Sequence, residues 1–367
     1  MKKIKKYAFV LEMNDYIGGA ERRLLRVYNS IAKKKKVDIF VRGMGKKNFE
    51  KRITQGDLEL KNIKNIYVYP RGKIHAIRCL FDIYRKRYKT IHYFDYSGFN
   101  ALLAKVGRLF KTRTILTIAS HYYFTVDSFG GTMQGRNSLI KNSKCIDLLY
   151  PNMKKEVQKY ADSAKIHITP GTYTDLDMFY PDKKENIILY AAARLTEDKG
   201  PVLLVKAIVL CAEQLRKSKY KIIILGQGGK EKELKQYVIE NKIDDIVEFK
   251  GYKNTHDYMP QSKVFMSLQI DNNYPSQSLA EAFSCGCYII VTDVGMTRLM
   301  VEDSHADLVA GTPEDIADAI NKYLEMDDNL KKNIVDDNRC FAEKKFDIKA
   351  SIIYFKKLLD IDKNIKY

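Results

Sequence analysis

The chain has 367 residues, 45% of them hydrophobic and 30% charged, with a formal net charge of +19. That composition is globular, not fibrous or disordered, and the length allows two domains at roughly 150 residues each. No apolar run reaches the ~20 residues that a membrane-spanning helix needs.

The charge is unevenly spread. Residues 1–170 carry 36 Lys and Arg against 13 Asp and Glu, a surplus of 23, whereas residues 171–367 carry 28 against 32. A strongly basic half joined to a near-neutral half implies a large anionic partner for the first half, either nucleic acid or an anionic membrane surface. The six cysteines (Cys79, Cys145, Cys211, Cys285, Cys287, Cys340) are scattered without a CxxC pair, and the six histidines do not cluster with them. No metal site or disulfide framework is expected from that pattern.

The first segment, MKKIKKYAFVLEMNDYIGGAE, is basic and then apolar. Its apolar run covers only Tyr7 to Leu11 before Glu12 and Asp15, too short and too acidic for a signal-peptide core. It is expected to be a first strand of a cytoplasmic protein. GGAERRLL (18–25) follows and opens a helix. Gly18 and Gly19 would let the backbone come close to a ligand, and a helix start offers amides to phosphate. RLLRVYNSIAKKKK (23–36) and FDIYRKRYK (81–89) mix aromatic, aliphatic and cationic residues, as interfacial helices do.

Short β-branched runs continue the series: VDIFVRG, NIYVY, TIHYF, TILTIAS and CIDLLYP. His92 lies within or at the end of the strand TIHYF, and His121 lies just past TILTIAS. The carboxyl end of a strand is where open parallel sheets bind ligands. A lone histidine is nevertheless more often structural.

The stretch KIHITPGTYTDLDMFYPDKKEN, with its Pro, Gly and Asp punctuation, reads as a hinge. Its Asp175-Leu176-Asp177 matches a DxD metal pattern, but so short a pattern occurs by chance, and it is rejected here. The strand series then restarts with IILYAAAR, YKIIILG, IVEFKG, VFMSLQ and YIIVTD. Strands alternating with amphipathic helices indicate parallel sheets built from βαβ units. The expected fold is therefore α/β, two doubly wound Rossmann-like domains facing a cleft. The first spans 1–170 and the second 171–350, with an amphipathic segment at 351–367 that could pack on the second or cross back to the first.

Within the second half, AAARLTEDKG (191–200) follows a strand and places Arg194 and Lys199 at a helix start, where two cations could clamp a diphosphate. GQGGKEKEL (226–234) fails the GxGxxG fingerprint, because residue 231 is Glu, and reads as a strand-to-helix turn. NNYPSQSLAEAFSCG (272–286) sets Glu281 one turn inside a short helix. An acid beside a helix-start anion site suits a ligand with both phosphate and hydroxyls, such as a nucleotide sugar.

Taken together, these stretches resemble the retaining glycosyltransferases of family 4, which have the GT-B fold. GGAER is similar to that family's glycine-rich loop, and ITPGTYTDLDMFYP to its "IPNGVD…F.P" hinge. AARLTEDKG is similar to "GRL…KG", FKGYKN with Gly251 to the loop that takes the nucleotide base, and YPSQSLAEAFSCGCYIIVTDVG to "P…SLLEAMACG.PVVATDVGG". The order holds over nearly the whole chain.

The resemblance implies that Glu281 binds ribose hydroxyls and that the amides around Gln277, Ser278 and Leu279, after Ser276, approach the diphosphate. It implies that Arg194 and Lys199 stabilise the leaving phosphates, and that Gly18, Gly19 and His121 lie at the reaction centre. The family's Glu-x7-Glu motif departs here, since eight positions before Glu281 stands Asn273. An amide can hydrogen-bond a sugar hydroxyl but lends no negative charge. Asn273 is expected to be a donor-sugar contact, and Asp271 could supply a carboxylate.

The implied reaction is transfer from a nucleotide diphosphate sugar (UDP- or GDP-sugar) to a lipid-linked or cell-surface glycan, with retention and without metal or other cofactor. The implied place is the inner face of the plasma membrane, in peripheral contact with anionic lipid and with no nucleic acid. Two rival classes are a nucleotide-sugar epimerase of the same fold and a basic nucleic-acid-binding protein.

Overall fold

The computed structural model of the protein describes residues 6–13, 19–55, 60–120, 123–124, 132–302 and 305–361. The chain divides into two compact units. One holds the residues up to Gly171 together with those from Lys349 onward, and the other holds Thr172–Ile348.

The first unit is built on β1 (Lys6–Glu12), β2 (Lys36–Arg42), β3 (Asn65–Tyr69), β4 (Thr90–Phe94), β5 (Arg113–Ile118), β6 (Cys145–Leu148) and β7 (Ile166–Ile168). These pair in parallel in the order β3-β2-β1-β4-β5-β6-β7. The second unit has β8 (Glu185–Arg194), β9 (Lys221–Gln227), β10 (Val247–Gly251), β11 (Ser262–Ser267), β12 (Tyr288–Thr292) and β13 (Asp307–Val309). Their order is β10-β9-β8-β11-β12-β13, again all parallel. Each sheet is therefore doubly wound, reversing once, between β1 and β4 in the first and between β8 and β11 in the second.

The strands read as unbroken apolar runs because helices cover both faces of such a sheet. The middle five residues of β1 and all five of β4 and β12 are buried. Around the sheets lie separate cores, one including Val10, Phe40, Leu103, Leu116 and Ile146, the other Ile188, Leu204, Ile222, Val264 and Ile320. β7 and β13, three residues each at a sheet edge, are strands that the periodicity did not reveal.

One expectation is corrected. The stretch 23–36 is not an interfacial helix. In the helix Gly19–Ala32 its Arg23, Leu24, Leu25, Val27, Tyr28 and Ile31 are buried. The apolar stripe that suggested a membrane faces the unit's own sheet.

The last helix, Ile348–Leu358, packs on the first unit. Tyr354 donates to Asp147 Oδ1 at 2.5 Å, Arg113 donates to the Leu358 carbonyl at 3.0 Å, and Lys89 pairs with Asp360 at 2.7 Å. Among the described residues no helix is long and apolar enough to cross a membrane. Cys340 is exposed and the other five cysteines are buried, all as free thiols.

Candidate functional site

In the second unit, the loops leaving β8 and β11 meet at the point where the sheet reverses, the usual crevice for a ligand in a doubly wound fold. The β8 loop carries Lys199 on a short turn that ends at Gly200. Gly200 has φ 68°, and a Cβ there would stand 1.9 Å from the Leu268 carbonyl oxygen, so only glycine lets this loop lie against the end of β11. Asp198 seals the contact by accepting the Ile270 amide at 3.1 Å on its carbonyl.

Lys199 is thereby aimed across the strand ends. Its Nζ donates to Gln269 Oε1 at 2.9 Å and lies 3.1 Å from Asp198 Oδ2. Partial burial tends to raise the Asp198 carboxyl, but the Thr196 and Lys199 hydrogen bonds prevail and hold it below its ordinary range. A cavity of about 130 Å³ opens here, lined by Tyr190, Ala192, Lys199, Ser267, Gln269 and Ser278 among others. A larger groove of about 450 Å³ lies at the opposite, amino-terminal ends of β8 and β9, near Glu185, Lys221 and Glu248, away from these residues.

The helix Gln277–Ser284 begins beside that cavity. Ser276 caps it, its hydroxyl accepting the Leu279 amide at 3.3 Å. The first amides of any helix lack intrahelical partners, which makes this end attractive to anions. Glu281, 7% exposed, lies one turn in. Thr255 donates to its Oε2 at 3.2 Å and Gln277 to its Oε1 at 3.2 Å. Gln277 is itself held, donating to the Tyr173 carbonyl at 2.8 Å and accepting from Thr172 at 3.0 Å. Glu281 is thus a fixed carboxylate in a tight polar nest.

Asn273 is placed differently from the expectation. It is 1% exposed, accepts from Ser267 at 2.6 Å, and turns its NH₂ to the Thr292 hydroxyl at 3.1 Å. Its amide hydrogens are committed inward, linking β11 to β12, which leaves no donor for a sugar. Asp271 is exposed on the same loop.

Arg194, the last residue of β8, is exposed, and its side chain makes no hydrogen bond or ion pair among the described residues. It pairs in register with Gln227. Gly251 ends β10 with φ 69° after a register shift, and a Cβ there would lie 3.5 Å from the Gln227 amide nitrogen. The turn 226–230 packs on the same loop, where a Cβ on Gly228 would lie 2.7 Å from the Leu195 carbonyl. Gly226 and Gly228 therefore serve close backbone packing, and Gly229 does not.

In the first unit, Gly19 opens its helix with nothing within 4 Å of where a Cβ would stand. Gly18 and His121 lie outside the described residues. His92 is a core residue, fully buried in β4. Thr117 donates to Asp147 Oδ2 at 2.6 Å, so it accepts from His92 Nε2 at 2.7 Å, and His92 Nδ1 in turn accepts from Tyr28 at 2.5 Å. That chain fixes a neutral imidazole with both nitrogens used. Burial lowers the His92 pKa to about 3, with Arg23 adding to the effect.

Sequence reasoning missed Gln269 and Thr255, the partners that orient Lys199 and Glu281. Their only signal was position just past a strand end. It also missed Asp95, which follows β4 with φ 50° and accepts the Ala119 amide at 2.8 Å. Burial pushes the Asp95 carboxyl up to about 7. Asp175 caps its own turn by accepting the Asp177 amide at 3.1 Å, and no cluster of three metal-capable side chains occurs among the described residues.

Comparison with known proteins assigns this architecture. Residues 174–339 match the family model for glycosyl transferases group 1. The chain is 25% identical over 340 residues, 88% of this chain and 90% of the other, to the Campylobacter jejuni GalNAc-alpha-(1->4)-GalNAc-alpha-(1->3)-diNAcBac-PP-undecaprenol alpha-1,4-N-acetyl-D-galactosaminyltransferase. A second Campylobacter jejuni protein, N-acetylgalactosamine-N,N'-diacetylbacillosaminyl-diphospho-undecaprenol 4-alpha-N-acetylgalactosaminyltransferase, is 26% identical over 63% of this chain and 66% of its own. HepE of Anabaena, solved with UDP and glucose, shares the fold at a TM-score of 0.75 and 14% identity, covering 96% of this chain and 99% of that one. The fold is the two-domain α/β architecture of GT-B enzymes. The chain is a glycosyltransferase, similar over residues 174–339 to the group 1 family.

Proposed function

We propose that the protein transfers a sugar from a nucleotide diphosphate sugar to a lipid-linked glycan, with retention of anomeric configuration and without a metal. The observation that carries this reading is the placement of Lys199, Ser278 and Glu281. Lys199 and Ser278 line one cavity at the switch point of the unit that matches the group 1 model, and Glu281 lies one turn along the helix that carries Ser278.

In this reading the ribose hydroxyls donate to Glu281, and the base lies by Gly251. The diphosphate sits on the amides after Ser276, around Gln277, Ser278 and Leu279. Lys199 and Arg194 stabilise the charge that grows on the leaving phosphate. A preorganised donor of this kind is worth about 3 kcal/mol. Asn273 shapes the loop through Ser267 and Thr292 instead of touching the sugar through its amide hydrogens.

The bond from the anomeric carbon to the diphosphate oxygen breaks, and the acceptor oxygen bonds to that carbon on the same face. The acceptor's proton passes to the leaving diphosphate. This stereochemical course rests on the resemblance to family 4. A UDP-sugar donor is favoured by the UDP found in HepE, and a polyprenyl-diphosphate glycan acceptor by the names of the Campylobacter relatives. Such an acceptor places the enzyme at the cytoplasmic face of a membrane.

The test is incubation of a panel of UDP- and GDP-sugars with an undecaprenyl-diphosphate saccharide, with the product linkage read by NMR. An α-linked product from an α-linked donor is expected, in the presence of EDTA. A β-linked product overturns retention. Donor consumed to a free isomeric sugar nucleotide without acceptor would favour the epimerase.

A further inference from the structure

Two neighbouring helices of the first unit leave large apolar side chains in water. The helix Lys73–Arg85 turns Cys79 and Ile83 inward and exposes Ile74 (81%), Ile77 (67%) and Phe81 (64%), spaced i, i+3, i+7 along one stripe. The helix Gly98–Leu109 buries Phe99, Leu103 and Ala104, and its end exposes Leu109 and Phe110 (79% and 68%). The two helices are bound together. Tyr84 donates to the Leu103 carbonyl at 2.8 Å, and its ring lies 5.4 Å from that of Phe110.

The charge around these side chains is predominantly positive. Between residues 71 and 113 the sequence holds eleven Lys and Arg and two acids, Asp82 and Asp95. Both acids are engaged: Asp82 accepts from Tyr69 at 2.8 Å and lies 3.6 Å from Arg85, and Asp95 accepts the Ala119 amide. Lys73, Arg78, Arg85, Lys105 and Lys111 are exposed among the apolar tips.

We propose that this face, the stripe Ile74, Ile77 and Phe81 with Leu109 and Phe110 and their cations, is the surface by which the enzyme seats itself on an anionic lipid leaflet. The proposal deepens the lipid-linked acceptor reading and rests on it for purpose, though not for its observations. Aliphatic and aromatic tips enter the headgroup boundary while long basic side chains meet lipid phosphates. Nucleic acid would engage the cations but leave Ile74, Ile77 and Phe81 in water, so the lipid surface matches more of the face. A patch that is apolar and predominantly cationic at once is uncommon on a water-facing monomer.

The test is sedimentation of the full chain with vesicles of phosphatidylcholine alone, and of phosphatidylcholine with phosphatidylglycerol. Variants are Ile77→Ser/Phe81→Ser, Arg78→Glu/Lys105→Glu, and the control Leu210→Ser, an exposed leucine of the second unit. Wild type is expected to bind only the anionic vesicles. Both double variants should bind at least tenfold more weakly, with unchanged melting temperature and unchanged nucleotide binding. The control should match wild type. Equal vesicle binding by wild type and both variants overturns the proposal. So does preference for RNA over anionic vesicles. Because vesicle binding is read without turnover, absence of sugar transfer would count against the proposed reaction and leave this result standing.

Discussion

In the second unit, Lys199 bonds to Gln269 and Glu281 to Thr255, two pairs just beyond the strand ends. In the first unit, Tyr28, His92, Thr117, Asp147 and Tyr354 interlock inside the core. Both sets join ionisable side chains to neutral ones by hydrogen bonds, yet their depth relative to the sheet separates them. A network at the carboxyl edge keeps a charged lysine and carboxylate in partly wet surroundings, ready to meet the charge of a ligand. In a network sealed among Phe9, Tyr28 and Phe355, burial disfavours charge, driving His92 down to about 3 and Asp147 upward. A perturbed histidine in a sheet is therefore a poor guide to the site unless its nitrogens face a crevice.

The contrast can be broken at either pole. Lys199→Ala should lower transfer by 10²–10³-fold, or about 3 kcal/mol, while the urea midpoint stays within error of wild type. An unchanged rate would place the charge stabilisation elsewhere. His92→Asn should do the reverse. Loss of two buried hydrogen bonds and of ring packing should cost about 2–4 kcal/mol with little change in nucleotide affinity.

The His92 effect carries a pH signature. Its folded pKa of about 3 lies below the unfolded value of 6.5, so between those pH values the unfolded chain binds a proton that the fold refuses. Wild-type stability should therefore fall as pH drops below 6.5, by about 2 kcal/mol from this group at pH 5. Unfolding at pH 7 and pH 5 should show the variant missing that part of the slope. An identical slope in both proteins would mean that His92 can be protonated in the fold.

Glu281→Gln is a milder probe of the second unit. It keeps one oxygen, an acceptor for either Thr255 or Gln277, and removes the charge, and nucleoside diphosphate affinity should weaken about tenfold. Gly19→Ala should leave stability nearly untouched, because no atom lies within 4 Å of the new methyl. A drop of several-fold in transfer, read from initial rates, would then report a ligand close to that backbone. No drop would remove Gly19 from the site.

Much of this was legible in the sequence, for identifiable reasons. Eleven strands announce themselves as apolar runs because both faces of each sheet are covered. β7 and β13 do not, since three residues at an edge carry no period. The motif residues Lys199, Ser276 and Glu281 could be found because glycine, proline and a capping serine mark the turns around them. Gln269 and Thr255 could not, since nothing local distinguishes an orienting amide or hydroxyl from a surface one. Amphipathicity located helices but not their surroundings. Of the two stretches read as interfacial, 23–36 buries its apolar side in its own unit, whereas 81–89 begins with the exposed Phe81.

The most direct measurement is the melting temperature of the purified chain and of Lys199→Ala with UDP, GDP, ADP, dTDP and CMP, each with and without EDTA. The account predicts a shift with one diphosphate, UDP most favoured, that survives EDTA and disappears in the variant. No shift with any nucleotide, or an equal shift in the variant, would contradict the cation-and-helix clamp on which the proposed reaction depends.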